Sequence, residues 1–565
     1  MSFIVRQPKG GGRMHVYVAE SHHISELGQS RQSRVYLGVL APDGVELLLG
    51  ARTPEPAPAT LAMLERDGIK YAGRRAGKPG PKPARAQSAM HGAVVLEVGR
   101  TEALYMMAAQ SELSSALAGA FGAMDGARLL GLAMHQACES GPSYLAGEWL
   151  ADTPHGERCG AVSASTHDRL LAGVGSDGKA RSEFFRLWIE ACGKPRALIH
   201  DTTSISTYAE GLSQAEWGYN RDKEDLRQVN IALVCSRDGR IPLWFRTIPG
   251  SVPDVSTLRT TCGMISELGL AGFTMSLDRG YFSEANLAGM LDAELGFVIG
   301  APLSRAQAAA LVNERRKDLE SSKHSFLHEG TRLRHVACDY LVELPNGRTR
   351  RLPAHLYLDT ERREALARRL ETSVLELEAK AAARSAAKPF KNFSDAAKWI
   401  DDNAGHLAKC LAPCVRKRKV AVRRMDDAVA ESGGSFGFTL LVATDRKSGR
   451  DAVLSDYRCR DVAEKIFDTY KNGTGNNRLR SGGDNAAEGR IFVAFLATIL
   501  HGLVERRLAK AGAKTRSTRE ALELLAKIKT VRQPNGRTLQ LEVPRKAQDI
   551  FTILTESNLA KSKGV

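Results

Sequence analysis

The sequence lacks the patterns that mark exported and membrane-spanning proteins. Its first residues, Met1-Ser-Phe-Ile-Val-Arg6, do not have the basic-then-apolar order of a signal peptide. No apolar run reaches the length of about 18 residues that a membrane span requires. The nine cysteines form no Cys-x-x-Cys pair, and their odd number fits a reducing compartment. These absences predict a cytoplasmic protein.

Acidic residues are too few to balance the basic ones. The chain has 80 Lys and Arg against 64 Asp and Glu, a formal net charge of +16. A chain this basic commonly neutralises a polyanion, and we expect nucleic acid because no amphipathic N-terminal membrane anchor is present. At 565 residues and 43% hydrophobic content, the chain is too long for one ordinary core. We therefore expect about three or four domains.

The stretch from Tyr457 to Lys471 has polar residues at helical spacing. At about 100° per residue, Tyr457, Arg460, Glu464 and Lys471 fall within an arc of roughly 60°. The opposite side of the predicted helix is apolar and holds Val462, Ala463, Ile466 and Tyr470. The polar face has the chemistry of phosphate binding around one metal-ligating carboxylate. A solvated amphipathic helix with i,i+4 charge pairs is the alternative interpretation.

Two further strings end in a carboxylate. Ala197-Leu-Ile-His-Asp201 and Phe273-Thr-Met-Ser-Leu-Asp278 are short apolar runs, each typical of a buried strand. We expect Asp201 to end the first strand and Asp278 to lie just past the fourth. Both carboxylates would then emerge at the edge of one sheet.

These three strings together resemble a known family. Tyr457, Arg460, Glu464 and Lys471 match the Tyr-x2-Arg-x3-Glu-x6-Lys (YREK) signature of one group of bacterial insertion-sequence transposases of the DDE type. Asp201-Thr-Thr-Ser is similar to that family's first catalytic block, and Asp278-Arg-Gly-Tyr-Phe-Ser is similar to its second. Trp217-Gly-Tyr-Asn-Arg-Asp-Lys-Glu-Asp-Leu-Arg-Gln228 resembles a segment between them.

The resemblance and the element pattern imply an α/β fold. We expect a ribonuclease H-like mixed five-stranded sheet with helices, interrupted by a β-hairpin and helical insertion domain and preceded by β and helical DNA-binding modules. The predicted segments are 1–72, an N-terminal β module; 73–190, a basic linker and helical DNA-binding region; 191–300 with 437–510, the catalytic core; 301–436, the insertion domain; and 511–565, a helical and hairpin tail.

Some roles stay open from the residues alone. The β module is either an end-recognition unit or a folding cap. The basic clusters of the insertion, such as Arg350-Arg351 and Arg416-Lys-Arg-Lys419, are either a DNA clamp or solvated surface. No helix of residues 101–190 is identified as the one that reads bases.

The resemblance also implies the site chemistry. Asp201, Asp278 and Glu464 are expected to be catalytic and to hold two divalent ions, Mg²⁺ or Mn²⁺, because carboxylates are the oxygen ligands that these ions prefer. The expected DNA-binding and phosphate-binding residues are Tyr457, Arg460, Lys471 and Arg279. Asp461 and Asp468 are rival carboxylates on the same predicted helix, but only Glu464 matches the family pattern.

The implied reaction is metal-dependent cleavage at the ends of a DNA element, followed by attack of the freed 3′-hydroxyl on target DNA. The expected partners are double-stranded DNA, as terminal inverted repeats and as target, and a second copy of the chain on paired ends. We expect no membrane partner, no small-molecule cofactor, and location in the bacterial cytoplasm with the nucleoid when bound. Two alternatives remain: a ribonuclease H-like nuclease or resolvase, and a decayed relative that binds DNA without cutting it.

Overall fold

The computed structural model describes the chain apart from several short segments. These segments are residues 1, 10–12, 25–28, 51–52, 75–91, 196, 238, 271, 345–346, 515–516 and 557–565, together with the side chains of residues 22–31, 254 and 255. Most of the predicted basic linker lies outside the described residues. So do Asp238 and Asn346, which begin the Asp-Gly and Asn-Gly pairs that predict hairpin turns. Chain contacts define two units, 1–93 with 533–537 and 94–532 with 538–565. The five segments proposed from the sequence stay a prediction.

The first unit is built on an N-terminal sheet. Its described strands are β1 (Ser2–Lys9), β2 (Arg13–Ile24), β3 (Gln29–Leu40), β4 (Glu46–Leu49) and β5 (Lys70–Arg74), paired in that order. The first four run antiparallel, whereas β4 and β5 are parallel and are joined through the helix Pro58–Arg66. A parallel pair needs such a crossover. Alternating apolar residues of the sheet, including Val16 and Leu47, pack against Leu64 of this helix.

The second unit contains the remaining strands. In chain order they are β6 (Val94–Glu97), β7 (Ala197–Ser206), β8 (Gln228–Ser236), β9 (Ile241–Pro249), β10 (Thr274–Leu277), β11 (Gly296–Ala301), β12 (Ser325–His328), β13 (Thr331–Glu343), β14 (Thr349–Asp359), β15 (Leu411–Arg416), β16 (Lys419–Arg424), β17 (Phe438–Ala443), β18 (Lys529–Arg532) and β19 (Thr538–Gln540). Strands β15 and β16 form a hairpin, and β6 pairs with β18.

One large mixed sheet organises this unit. Among the described residues its strand order is β12-β13-β14-β17-β11-β10-β7-β8-β9. Strand β8 is antiparallel to both β7 and β9, and β10 is parallel to both β7 and β11. The prediction of five strands is therefore wrong in number. The hairpin β13–β14, expected in a separate insertion, pairs through β14 with β17 and so extends the same sheet.

Helices cover the sheet and fill the insertion. The described α-helices of the second unit are Gly99–Gln110, Leu113–Phe121, Ala123–Cys138, Ala146–Ala151, Pro154–Cys159, Ala164–Ser176, Gly178–Ala191, Asp254–Glu267, Glu284–Asp292, Ala306–Glu320, Thr360–Ala387, Phe393–Ala404, Asp426–Gly433, Arg450–Arg458, Arg460–Asp468, Asp484–Lys510, Thr518–Leu525 and Arg545–Thr555. The Ala-, Glu- and Arg-rich composition after Thr360 predicts a long helix to about Ala387, and the helix Thr360–Ala387 confirms it. Residues of this helix pack with Phe393–Ala404 around a small apolar cluster that includes Val374 and Ile400.

The helix Asp484–Lys510 lies at the centre of the main core. It has the length and apolar composition of a membrane span, but 78% of its apolar window is buried inside the protein. Phe492 and Phe495 of this helix contact Phe185 and Phe245 edge to face or tilted. The sequence predicts a buried core helix over residues 486–508, because the apolar run is too short and too flanked by charge for a membrane span, and the burial confirms this prediction.

Glycine allows this helix to approach Ala164–Ser176 closely. A Cβ on Gly489 would lie 2.1 Å from the Leu171 carbonyl oxygen, and one on Gly175 would lie 1.7 Å from that of Asn485. No real side chain tolerates such contacts with backbone, so the two helices pack at a distance that only glycine permits.

We predict that Gly489→Ala lowers the free energy of unfolding by about 1–3 kcal/mol, because the added methyl forces the two helices apart. The measurement is urea unfolding followed by tryptophan fluorescence. Gly173→Ala is the matched control, since nothing lies within 4 Å of a Cβ at this exposed position of the same helix pair. It should stabilise by about 0.5–1 kcal/mol. Equal stability of Gly489→Ala and the wild type would contradict the close packing.

Candidate active site

Two of the predicted carboxylates lie at the same level on neighbouring strands. Strands β7 and β10 are parallel, and their register pairs Ile199 with Ser276. Two residues further along each chain come Asp201 and Asp278, and residues two apart point to the same face of a sheet. Burial raises the pKa of Asp201, and the charge of Asp278 raises it further.

Strand β7 does not end where the sequence suggested. Asp278 follows the last residue of β10, as predicted, but β7 continues five residues past Asp201 to Ser206. The extension keeps the ladder to β8, with Asp201 opposite Leu233 and Ser206 opposite Gln228. The prediction that Asp201 ends its strand was therefore wrong, because pairing with β8 carries the strand through its polar residues.

The predicted helix from Tyr457 to Lys471 is broken into three pieces. Tyr457 belongs to Arg450–Arg458, a second helix runs from Arg460 to Asp468, and Thr469–Gly473 is a π turn. At the first junction the Val462 N–H donates to the Cys459 carbonyl, a tight i,i+3 bond. The prediction of one unbroken helix was therefore wrong, although Tyr457 still lies beside Arg460. The apolar side of the predicted helix is confirmed, because Val462, Ala463, Ile466 and Tyr470 are buried.

Arg460 lies at the centre of the site. Its guanidinium forms an ion pair with Asp278, lies 4.0 Å from Glu464 Oε1, and donates to the Tyr457 hydroxyl at 2.9 Å. Burial acts to lower the pKa of Arg460, but the charges of Tyr457, Asp278, Asp201 and Glu464 raise it above its ordinary value. Three acidic side chains from two strands and one helix therefore converge on one cation.

The three carboxylates differ in exposure. The Asp201 side chain is 13% exposed, that of Asp278 39%, and that of Glu464 66%. Of the rival carboxylates, Asp461 is exposed and lines one cleft together with Tyr457 and Arg460, and Asp468 accepts a hydrogen bond from Asn472 at 2.7 Å. In the described chain no three His, Cys, Asp or Glu side chains form a preformed metal-binding group. Glu464 is thus the carboxylate of its helix that reaches Arg460.

A polar network that the sequence did not reveal supports Asp201. Arg221 lies 3.5 Å from Asp201 Oδ1 and donates to Thr202 Oγ1 at 2.9 Å, and the Tyr281 hydroxyl donates to the same Thr202 oxygen at 3.0 Å. Arg221 occurs in the Trp217–Gln228 string, to which the sequence assigns no role. Because Arg221 is far from Asp201 in sequence, no local pattern predicts that the two residues lie together.

Tyr457 is held between two clefts by a glycine. A Cβ on Gly300 would lie 2.6 Å from the Tyr457 hydroxyl oxygen, so only glycine on β11 admits the ring. The clefts, of about 570 and 790 Å³, share the lining residues Arg362, Gly437, Thr439, Tyr457 and Arg460. Tyr457 and Arg460 therefore form the ridge between two adjoining grooves.

The other two predicted phosphate ligands have different surroundings. Lys471 is 12% exposed and forms an ion pair with Asp222 at 2.7 Å. Arg279 is exposed, and its backbone N–H donates to Asp278 at 2.6 Å. The structure thus places Arg279 next to Asp278 but Lys471 against Asp222, and contact of either residue with phosphate stays a prediction.

Burial raises the pKa of Asp201 from 3.8 to about 6, against the opposing effects of Arg221 and the Thr202 N–H. As pH rises from about 4 to 6 the unfolded chain loses this proton before the folded one, so wild-type stability falls. We predict that Asp201→Asn, measured in EDTA, is more stable than wild type by about 3 kcal/mol at pH 7.5. Near pH 4 this gain should largely vanish.

Urea unfolding at both pH values measures this effect. Asp225→Asn, at an exposed carboxylate of the same loop as Arg221, is the control for the substitution and should leave the stability at pH 7.5 nearly unchanged. If Asp201→Asn raised the free energy of unfolding equally at both pH values, or lowered it at pH 7.5, burial would not be what disfavours the charged carboxylate.

Comparison with known proteins places the chain in a family. The family model described as "Transposase DDE domain" matches residues 193–500, more than half of the chain. None of the curated proteins matches. A cryo-EM structure of the piggyBac transposase synaptic complex with hairpin DNA matches with 10% identity and a TM-score of 0.31, covering 62% of this chain and 56% of that one. That likeness is too low to support an argument. On the family match, the chain belongs to the transposase DDE domain family.

Proposed function

We propose that this protein is a bacterial insertion-sequence transposase of the YREK group, with a ribonuclease H-like core, that cleaves element ends and joins the 3′-hydroxyl to target DNA. One observation carries the proposal. Asp278 and Glu464, which are far apart in sequence, meet at Arg460, beside Asp201 on the neighbouring strand. A purely structural ion pair would not require the third, buried carboxylate of Asp201.

The donor set fits divalent metal ions. Three carboxylates at one sheet edge supply the oxygen ligands that Mg²⁺ or Mn²⁺ prefers. Burial disfavours the charged form of Asp201, and a cation bound there would offset this effect. Asp201, Asp278 and Glu464 are the residues that would hold the ions. When bound, such ions activate water and stabilise charge on the transferring phosphoryl group.

The protein's own groups supply binding and orientation. Arg460 neutralises Asp278 in this structure, and its guanidinium becomes available to a phosphate oxygen once the carboxylate has another cation. Tyr457, fixed by Gly300, presents its ring between the two grooves. Lys471 would exchange the partly exposed Asp222 carboxylate for a phosphate oxygen of the DNA backbone, which is an equivalent anionic partner.

The grooves have the charge that a DNA strand requires. Their lining includes the basic residues Arg240, Arg279, Arg362, Arg458, Arg460 and Lys465. Arg362 lies in the first turn of the long insertion helix and lines both grooves, which supports the insertion as a DNA clamp. We propose a homodimer on paired terminal repeats, in the bacterial cytoplasm, as the working form.

The test is cleavage of a labelled duplex that carries the DNA flanking this gene, with Mg²⁺. Wild type should cut at the element ends and yield joined products when a target plasmid is added. Glu464→Gln should retain DNA binding and lose cleavage activity. The cleavage rate should fall by more than roughly 100-fold, the loss typical when a residue that only supports a metal ligand is removed. Asp461→Asn and Asp468→Asn are the matched controls and should cut nearly normally.

Three outcomes would contradict parts of the proposal. A dead Asp461→Asn or Asp468→Asn variant beside an active Glu464→Gln would overturn the glutamate assignment. Cleavage without joined products would favour a nuclease or resolvase. Tight, salt-sensitive DNA binding with no metal-dependent cut would identify a decayed relative.

A further inference from the structure

The hairpin of β15 and β16 turns on two adjacent cations, Lys417 and Arg418. Arg416 pairs with Lys419 across the ladder, so Lys417 and Arg418 form the whole loop. Their φ angles, 51° and 60°, both lie in the left-handed region of the backbone. Two-residue hairpin loops of this kind favour Asn-Gly, because asparagine and glycine adopt positive φ at low cost. Lysine and arginine adopt it at a higher cost, so this turn is strained.

Two other hairpins of the chain use the favoured residues. The loop between β13 and β14 contains Asn346-Gly347, and the loop between β18 and β19 contains Asn535-Gly536. The glycines of these pairs have φ angles of 74° and 79°. The turn of β15 and β16 therefore lacks the residues that these other loops use where φ is positive. Backbone strain concentrates at functional sites, so the side chains of this turn are candidates for a function.

The end of the hairpin also concentrates positive charge. We call residues 416–419, Arg-Lys-Arg-Lys, the hairpin tip, and all four are exposed. Arg416 and Lys419 face each other across the ladder, where like charges repel. Within the described residues none of the four forms an ion pair, whereas Arg424 at the other end of β16 pairs with Asp426 at 2.8 Å. The tip therefore presents four cations that no carboxylate of the described chain neutralises.

The base of the hairpin is fixed to the long insertion helix Thr360–Ala387. Leu411, which begins β15, packs in one apolar cluster with Leu377 of this helix. The N–H of Arg424, which ends β16, donates to Glu378 Oε1 at 2.8 Å. These contacts lie at the end of the hairpin opposite the turn. The hairpin tip therefore projects beyond them on a backbone that the helix holds in place.

The same helix sets the distance between the hairpin tip and the grooves. Its first turn contains Arg362, which lines both grooves. Near the tip, Val420 pairs with Phe390, which follows the end of the helix at Ala387. At a rise of about 1.5 Å per residue, the helix from Arg362 to Ala387 spans about 38 Å. One turn of duplex DNA is about 34 Å long, so the tip lies about one turn away from the grooves.

We propose that the hairpin tip binds the phosphate backbone of duplex DNA about one helical turn away from the cleavage site. This inference rests on the proposed function, and it names the part of the insertion that holds the outlying DNA. Duplex DNA is a dense polyanion, and Lys and Arg side chains that contact its phosphates fix its position without reading base sequence. An acidic protein would attract the same cations, but the helix that carries the tip begins at the basic grooves, which favours the DNA bound there.

The test is the double variant Lys417→Asn with Arg418→Gly, which removes two cations and supplies the favoured turn residues. Because the strain is relieved, the urea concentration at the midpoint of unfolding should rise above that of wild type. Because two phosphate contacts are lost, the slope of log Kd against log salt should fall by about 2. Kd is measured by fluorescence anisotropy in EDTA, with a labelled duplex that carries the DNA flanking this gene.

Hydroxyl-radical footprinting on the same duplex locates the contact. Wild type should protect the DNA backbone at the cleavage site and again about ten base pairs away, and the double variant should lose only the second region of protection. The exchange of Lys417→Arg with Arg418→Lys keeps both charges and should bind as wild type does. Lys194→Gly, at an exposed cation with a φ of 51° outside the insertion, is the control for backbone relief and should leave DNA binding nearly unchanged.

Each failure has a distinct meaning. Wild type that binds no duplex would contradict the proposed function itself. A double variant with the wild-type salt slope and footprint would overturn only the role of the hairpin tip, and so would a loss of protection spread over the whole duplex. A lower urea midpoint for the double variant would show that the turn is not strained, which removes the basis of the proposal. Unchanged DNA binding, together with polyglutamate that binds wild type and not the variant, would assign the tip to an acidic protein instead.

Discussion

The pairing of Arg460 with acidic side chains from distant parts of the chain is the interaction on which the site depends. Asp278 follows a sheet strand and Glu464 lies on a helix, and the guanidinium holds them together next to the buried Asp201. Without a cation at this point, like charges in a poorly solvated edge would repel one another. Arg460 therefore keeps the carboxylates close together, in an arrangement where a divalent cation can replace the guanidinium.

The scaffold fixes these groups through close backbone contacts. Parallel pairing of β7 and β10 sets Asp201 and Asp278 at one level, and Gly300 on β11 admits the Tyr457 ring next to Arg460. Behind the sheet, Gly489 lets the central helix Asp484–Lys510 pack against its neighbour. Rigid strands and buried helices thus position the side chains of the site, and such elements hold functional groups more precisely than loops do.

The sequence predicted the parts of the site that local patterns govern. Apolar runs located β7 and β10, and helical spacing identified the buried side of Arg460–Asp468. It did not predict the break at Cys459, which depends on one tight hydrogen bond, or the π turn that carries Lys471. Helical periodicity assumes an unbroken helix, so neither feature leaves a signal in it.

The sequence also did not predict which distant segments contact each other. The hairpin β13–β14 was recognised as a hairpin, yet only the structure shows that β14 joins β17 and enlarges the main sheet. In the same way, nothing in the Trp217–Gln228 string shows that Arg221 folds back on Asp201 while Tyr219 stays exposed. Contacts of this kind depend on tertiary packing, which outweighs local preference.

The central claim is that Asp201, Asp278 and Glu464 form one divalent-metal site once Arg460 yields its carboxylates. Its most direct test is Mn²⁺ titration followed by electron paramagnetic resonance, which detects free Mn²⁺, on wild type and Asp278→Asn without DNA. We predict that wild type removes Mn²⁺ from solution and that the variant binds it much more weakly. Equal binding by both proteins would contradict the account.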